Sequence, residues 1–317
     1  MTRPHHHMAT FTASIVVCIL LTGSGCAGGP VELKQKLTPG QRLVYTMATK
    51  QSSETTTPAL PQPVKQRSDQ ELVFGISVVK ELPDDAREIE FEYLSVKADM
   101  TVGGVKMTYD SANPGQDTAN MLAMSMGKLL GTKLTCRFDK DGDMTGMEGM
   151  EELMSEMHQG QSAGGMFDDE SFKQLFGEKI GGGWLPENPV KVGDSWSVSK
   201  TASLGGMTKM STDVTYTFKG WQTEAGRRCA EVYFEGTISG EPGNGEGPMG
   251  MQMSVKAGAM SGTALFDPEL GSVVRMVTDQ TMQMGMSMTA PAGQAQDMET
   301  KLEQTVTISL SEVGKIE

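Results

Sequence analysis

Histidine, cysteine and aromatic side chains are scarce in this chain, and no apolar run is long enough to cross a bilayer. Of four histidines, His5, His6 and His7 crowd the N-terminus and only His158 serves the rest of the chain. That count excludes a multi-histidine zinc site and a His-Glu-x-x-His motif. There is no nucleophile elbow in a strand-turn-helix setting and no phosphate loop ending in Gly-Lys-Ser or Gly-Lys-Thr. Carboxylate pairs such as Glu151-Glu152 and Asp168-Asp169 occur, but charge runs of this type are usually wet faces or helix caps. The inventory predicts a protein that is not an enzyme, with no catalytic residues and no cofactor.

Positive charge is also in deficit. Lys and Arg number 27 against 40 Asp and Glu, giving a formal charge of −13 and a pI near 4.9. Nucleic acid needs a basic surface, so it is excluded as a partner, as is a surface built to lie on anionic lipid heads.

What is present begins at the N-terminus. Arg3 precedes an apolar run from Phe11 to Leu21, followed by Gly23-Ser24-Gly25-Cys26. A short apolar segment followed by small residues reads as a secretory signal, residues 1–25. The cysteine after the small residues resembles the bacterial lipoprotein signal, although Gly23 stands where a Leu is usual and the nearest is Leu21. The resemblance implies lipidation of Cys26, a short tether over 26–32, and a chain held in the cell envelope, facing the periplasm or the exterior. Several acyl chains make such an anchor effectively stable, at about 0.8 kcal/mol per buried methylene. Ordinary cleavage after Gly25, releasing a free protein, is the competing outcome. Once Cys18 and Cys26 are set aside, Cys136 and Cys229 remain, and an oxidising compartment would permit them to pair.

Strand patterning dominates the body. Val214, Tyr216 and Phe218 alternate with Asp213, Thr215, Thr217 and Lys219, and Ile89, Phe91 and Tyr93 alternate with Glu88, Glu90 and Glu92. Near the end, Leu302, Gln304, Val306, Ile308 and Leu310 alternate with polar residues. One dry face and one wet face is the pattern of antiparallel sheets. Helical spacing is confined to the middle: Met150, Leu153, Met154 and Met157, then Phe172, Leu175 and Phe176 before Gly177, with a third piece over 118–130.

Three landmarks recur in order. The turn-and-strand Pro39-Gly40-Gln41 matches Val192-Gly193-Asp194. The strand pair around Pro83-Asp84-Asp85 matches that around Ala225-Gly226. Phe138-Asp139 with Gly142 matches Phe266-Asp267 with Gly271. These predict two related β-rich halves, 33–180 and 190–317, divided at the Gly181-Gly182-Gly183, Pro186, Pro189 breakers. The expected class is α+β: antiparallel sheets in two halves, with a short helical insertion between about Thr118 and Gly177.

Two clusters invite a metal. Asp139, Asp141 and Asp143 alternate as in a calcium loop, but Met144 and Met150 occupy positions that need a glycine and a Glu. The matching Asp267 segment lacks the acidic ladder, so a turn explains both. The chain also holds 26 methionines, and Met282, Met284, Met286 and Met288 fall on one face of an extended strand. Thioethers suit Cu(I), yet methionine is equally an adaptable core residue or a lining for apolar ligands.

With the signal, the segment Leu185-Pro186-Glu187-Asn188-Pro189 leading to Val192-Gly193-Asp194-Ser195-Trp196, and the Phe-Asp-x-x-Gly turn, the chain resembles a group of bacterial envelope lipoproteins of unknown function with β-rich bodies. More loosely it resembles the half-barrels of lipoprotein carriers and related lipid-binding envelope proteins. The expectation is a membrane-anchored protein that binds an apolar ligand, or an envelope protein partner, on an apolar concave surface. Two alternatives stand beside it: a Cu(I) protein using the methionines, and a structural envelope protein without a small ligand.

Overall fold

In a computed structural model, residues 29–36, 38–114, 127, 130–140, 142–149, 183–204, 208–242, 252–289 and 295–316 are described. They form strands β1 (Gln41–Thr56), β2 (Val64–Glu81), β3 (Arg87–Val102), β4 (Val105–Asp110), β5 (Lys133–Phe138), β6 (Met144–Glu148), β7 (Ser195–Leu204), β8 (Thr208–Glu224), β9 (Arg227–Pro242), β10 (Gln252–Asp267), β11 (Ser272–Thr289) and β12 (Ala295–Lys315). The strands are long because alternation persists for 16 residues and more in several of them, with turn residues confined to the hairpin tips.

All twelve strands belong to one antiparallel sheet, in the order β6-β5-β3-β2-β1-β12-β11-β10-β9-β8-β7, with β4 paired to β3. This overturns the expected α+β class with a helical insertion: the described residues make one large antiparallel sheet. The described residues contain no α-helix; their helical conformation is limited to the 3-10 turn Pro83–Asp85 between β2 and β3 and to Gly127, also in 3-10 conformation. The predicted helices over 150–157 and 172–177, and 118–130 apart from Gly127 and Leu130, lie outside the described residues. The halves merge because β12 is zipped on both sides. It pairs with β1 from Gln41↔Lys315 to Thr56↔Glu299, and with β11 from Arg275↔Ser309 to Thr289↔Ala295.

The repeated landmarks fall at comparable places. Gly40 and Gly193, both at positive φ, precede β1 and β7. Read from the β7 edge, the order runs 7-8-9-10-11, then 12, then 1-2-3-5-6, so matching strands also point the same way. From β6 the chain must reach β7 at the far edge, and it re-enters the described structure at Gly183.

The main core lies on one face of β7 to β10. Val214, Phe218, Ala230, Val232, Phe234, Ala264 and Phe266 form its floor, and Leu33, Trp184 and Val190 pack onto it. Trp184 sits edge-on to Phe266 at 6.2 Å and tilted to Tyr216 at 5.5 Å, within the range of favourable ring pairs. Val31, at the end of the expected tether, exchanges main-chain hydrogen bonds with Val190 at 2.8 and 2.9 Å, fixing the start of the body to this corner. A smaller cluster at the other end gathers Ile89, Cys136 and Phe138 with Ile76, Phe91, Met144 and Met147.

Candidate functional site

Alternation and register divide the sheet into two chemically distinct faces. The apolar face carries Tyr216 and Phe218 of β8, Phe234 and Ile238 of β9, and Met260 and Phe266 of β10. Across the middle it continues through the row Met276 (β11), Ile308 (β12), Met47 (β1) and Leu72 (β2), with Phe74 beside Tyr45, and a second apolar pair, Met282 and Leu302, lies beyond the glutamine row Gln280, Gln304 and Gln51. It reaches Ile89 and Phe91 of β3 and Leu134 and Cys136 of β5. At the β7–β10 end this face is covered. In the middle Met47, Leu72, Phe74, Met276, Met282, Met284, Val306 and Ile308 are only half-buried.

The opposite face is hydrophilic. On its edge hydroxyls pair across β7 and β8, Ser195 with Thr217 at 2.9 Å and Ser197 with Thr215 at 3.0 Å. Here the sheet bends round a hollow of about 1030 Å³, lined by residues of β1, β2 and β8 to β12. Arg67, Asp69, Asp213, Tyr233, Asp279 and Glu303 are among its side chains. Several polar groups are satisfied locally: Arg67 with Asp69 at 3.2 Å, Tyr233 donating to Glu235 at 3.1 Å, and Thr305 donating to Asp279 at 2.6 Å. The expectation of an apolar concavity is therefore corrected, because the hollow lies on the wet side of the alternation. Strand patterning fixes which residues share a face, but it does not fix the direction in which that face curves.

The calcium-like segment is a hairpin turn between β5 and β6. Asp139 accepts from the Asp143 main chain at 2.9 Å, and Gly142 adopts φ 83°. Its counterpart repeats the device: Asp267 accepts from the main chains of Glu269 and Leu270 at 2.8 and 3.1 Å, with Gly271 at φ 67°. Asp267 also holds Arg227 at 3.0 Å. No cluster of His, Cys, Asp and Glu suited to a metal occurs among the described residues.

Cys26 and His158 lie outside the described residues. Cys136 and Cys229 are both buried free thiols in different clusters, one with Ile89 and Phe138, the other with Leu265 and Val274, so the pairing is not made. Burial pushes the Cys136 thiol up to about 11; burial and then the Asp267 charge raise that of Cys229. Met282, Met284 and Met286 sit half-buried on the apolar face, and Met288 falls in β11 with its side chain outside the described set. The sequence reading missed Met253 and Met298 as their neighbours. Both lie opposite Met286, in β10 and β12, an adjacency that only strand register reveals.

No curated protein matches the chain. Among solved structures the sheet is similar to part of lipovitellin, at 9% identity and TM-score 0.50, covering 89% of this chain and 26% of that one. The chain thus corresponds to about a quarter of lipovitellin's length. An exported protein with a YmcC-like fold from Bacteroides fragilis is matched at 10% identity and TM-score 0.26, over 89% of this chain and 99% of that one. A protein described as a lipoprotein, from Parabacteroides distasonis, is matched at 10% identity and TM-score 0.27, over 90% and 100%. Residues 84–273, more than half of the sequence, match the profile of the Family of unknown function (DUF6263), and the chain belongs to that family.

Proposed function

We propose that this is an extracytoplasmic lipoprotein, held to a membrane by acylated Cys26, which binds an apolar ligand on the open apolar face of its sheet and performs no catalysis. The observation that carries the reading is the half-buried middle of that face, where Met276, Ile308, Met47 and Leu72 lie side by side across β11, β12, β1 and β2, with Phe74 in the next row. Covering such a strip with an acyl chain gains roughly 0.8 kcal/mol per methylene removed from water. Methionine adapts its shape, which favours varied chains over one rigid ligand. Lipovitellin, part of which shares this sheet's fold, is itself a protein with lipid–protein interactions. From Cys26 to the pinned Val31 the chain spans at most about 17 Å, so an anchored protein holds the Trp184 corner of the apolar face close to the bilayer.

The test uses the Cys26→Ser chain and a fluorescent fatty acid. The reading expects saturable binding that unlabelled palmitate or phosphatidylethanolamine displaces. It expects Ile308→Glu to abolish binding and Thr307→Glu, next to it on the hydrophilic face, to leave it intact. No saturable binding, or equal loss in both variants, overturns the reading and favours a structural envelope protein.

A further inference from the structure

The apolar face ends in a row of three thioethers that lie side by side on three different strands. Met253 of β10 is directly opposite Met286 of β11, and Met286 is directly opposite Met298 of β12. All three are half-buried. Spacing makes this row different from the methionines strung along β11. Same-face residues on one strand are about 6.8 Å apart, and a run along one strand brings them up one behind another. Directly opposed residues on antiparallel strands have Cα atoms about 4.5–5.5 Å apart. Three long, freely rotating methionine side chains at that spacing can turn their sulfurs toward one point above Met286.

The neighbours sharpen the choice of ion. The next row on the same face is Val255, Met284 and Thr300, which adds a fourth thioether and no charged group. Asp297 and Glu299 flank Met298 in sequence and therefore alternate to the hydrophilic face, where Glu299 is paired with Lys256. Hard carboxylate oxygens are thus turned away. A row of neutral sulfur with no carboxylate or imidazole on its own face favours a soft monovalent ion over calcium, magnesium and zinc.

We propose that Met253, Met286 and Met298 form a binding site for Cu(I), or for the isoelectronic surrogate Ag(I), with Met284 in reach as a fourth donor. The metal enters already reduced, so binding involves no electron transfer. The site is independent of acyl binding in the middle of the sheet, and each can fail without the other.

The experiment titrates the full chain in detergent, anaerobically, with Cu(I) held by a colorimetric chelator. One Cu(I) per chain is expected to leave the chelator, while Zn(II) is not taken up. Met286→Leu conserves volume and removes the central sulfur; it should weaken binding at least about tenfold, equivalent to about 1.4 kcal/mol. Met282→Leu is the control, since Met282 faces Gly258 and Leu302 rather than another methionine, and it should bind as the parent does. Circular dichroism confirms that both variants are folded. Failure of the parent to take Cu(I) from the chelator overturns the site. So does uptake that survives Met286→Leu, which would place the copper on other methionines of the chain.

Discussion

The indole nitrogen of Trp196 donates to the main-chain carbonyl of Trp184 at 2.7 Å. This bond ties the first strand of the second meander to the segment by which the chain arrives from the far side of the sheet. Trp196 also stacks on Tyr216 at 5.8 Å, and Trp184 leans on the same ring, so three aromatic residues seal the corner. Trp196→Phe keeps an aromatic ring for the stack and removes the donor. The expected cost is about 1 kcal/mol, read as a lower urea midpoint with an unchanged m-value.

Close approach of strands makes a second prediction. A Cβ on Gly262 would run into the Val277 carbonyl and the ring of Phe234, whereas one on Gly146 of β6 meets nothing within 4 Å. Gly262→Ala is expected to cost about 1–3 kcal/mol by overpacking. Gly146→Ala is expected to be neutral or slightly stabilising, since its backbone needs no left-handed conformation. Thermal melts of the two variants separate a packing requirement from a general dislike of side chains in this sheet.

Much of the wet-and-dry alternation was legible from Val214, Tyr216 and Phe218 or from Ile89 and Phe91, because a strand with one buried face must repeat every two residues. The turns at Asp139 and Asp267 were legible for an equally local reason, the side-chain oxygen capping its own turn. Neighbour relations were not. Nothing in the period of β12 says that Leu302 lies between Ser53 and Met282, because pairing is decided by long-range register rather than by pattern. The same gap hid Met253 and Met298 from Met286, and it made two halves of what is one sheet. Curvature was also invisible, since bulges such as those at Val44/Tyr45 and Val255/Ala257 bend a sheet without altering its alternation.

The free thiols give a third prediction. Cys136 is 3% exposed and Cys229 is fully buried, and both are shifted toward the unreactive thiol form. In the Cys26→Ser chain lacking residues 1–25, a thiol reagent at pH 8 should label neither residue in the native protein and both in urea. Stoichiometric labelling without denaturant would show that the strands around β5 or β9 open readily.

Alkaline pH supplies the fourth. Burial raises the Tyr45 and Tyr216 phenols from 10.0 to about 12. Each is neutral in the folded protein where the unfolded chain would ionise. Their contribution to stability is therefore complete below pH 10 and is lost as the pH climbs through about 12. The urea midpoint should hold up to about pH 10 and then fall, and Tyr216→Phe should flatten the fall by removing one of the phenol titrations, to which Tyr93 and Tyr233 also add in the same direction.

The position of β12 has a consequence for how the protein is made. The twelfth strand in chain order closes the middle of the sheet, against the first strand and the eleventh. Until it pairs, β1 and β11 each present an open edge of unpaired amides and carbonyls, with apolar side chains alongside. A chain emerging N-terminus first cannot complete this sheet before β12 arrives, and contacts between such distant parts of a sequence form slowly. Completing the sheet is thus a race between the pairing of the 21-residue β12 and strand-to-strand association of neighbouring chains.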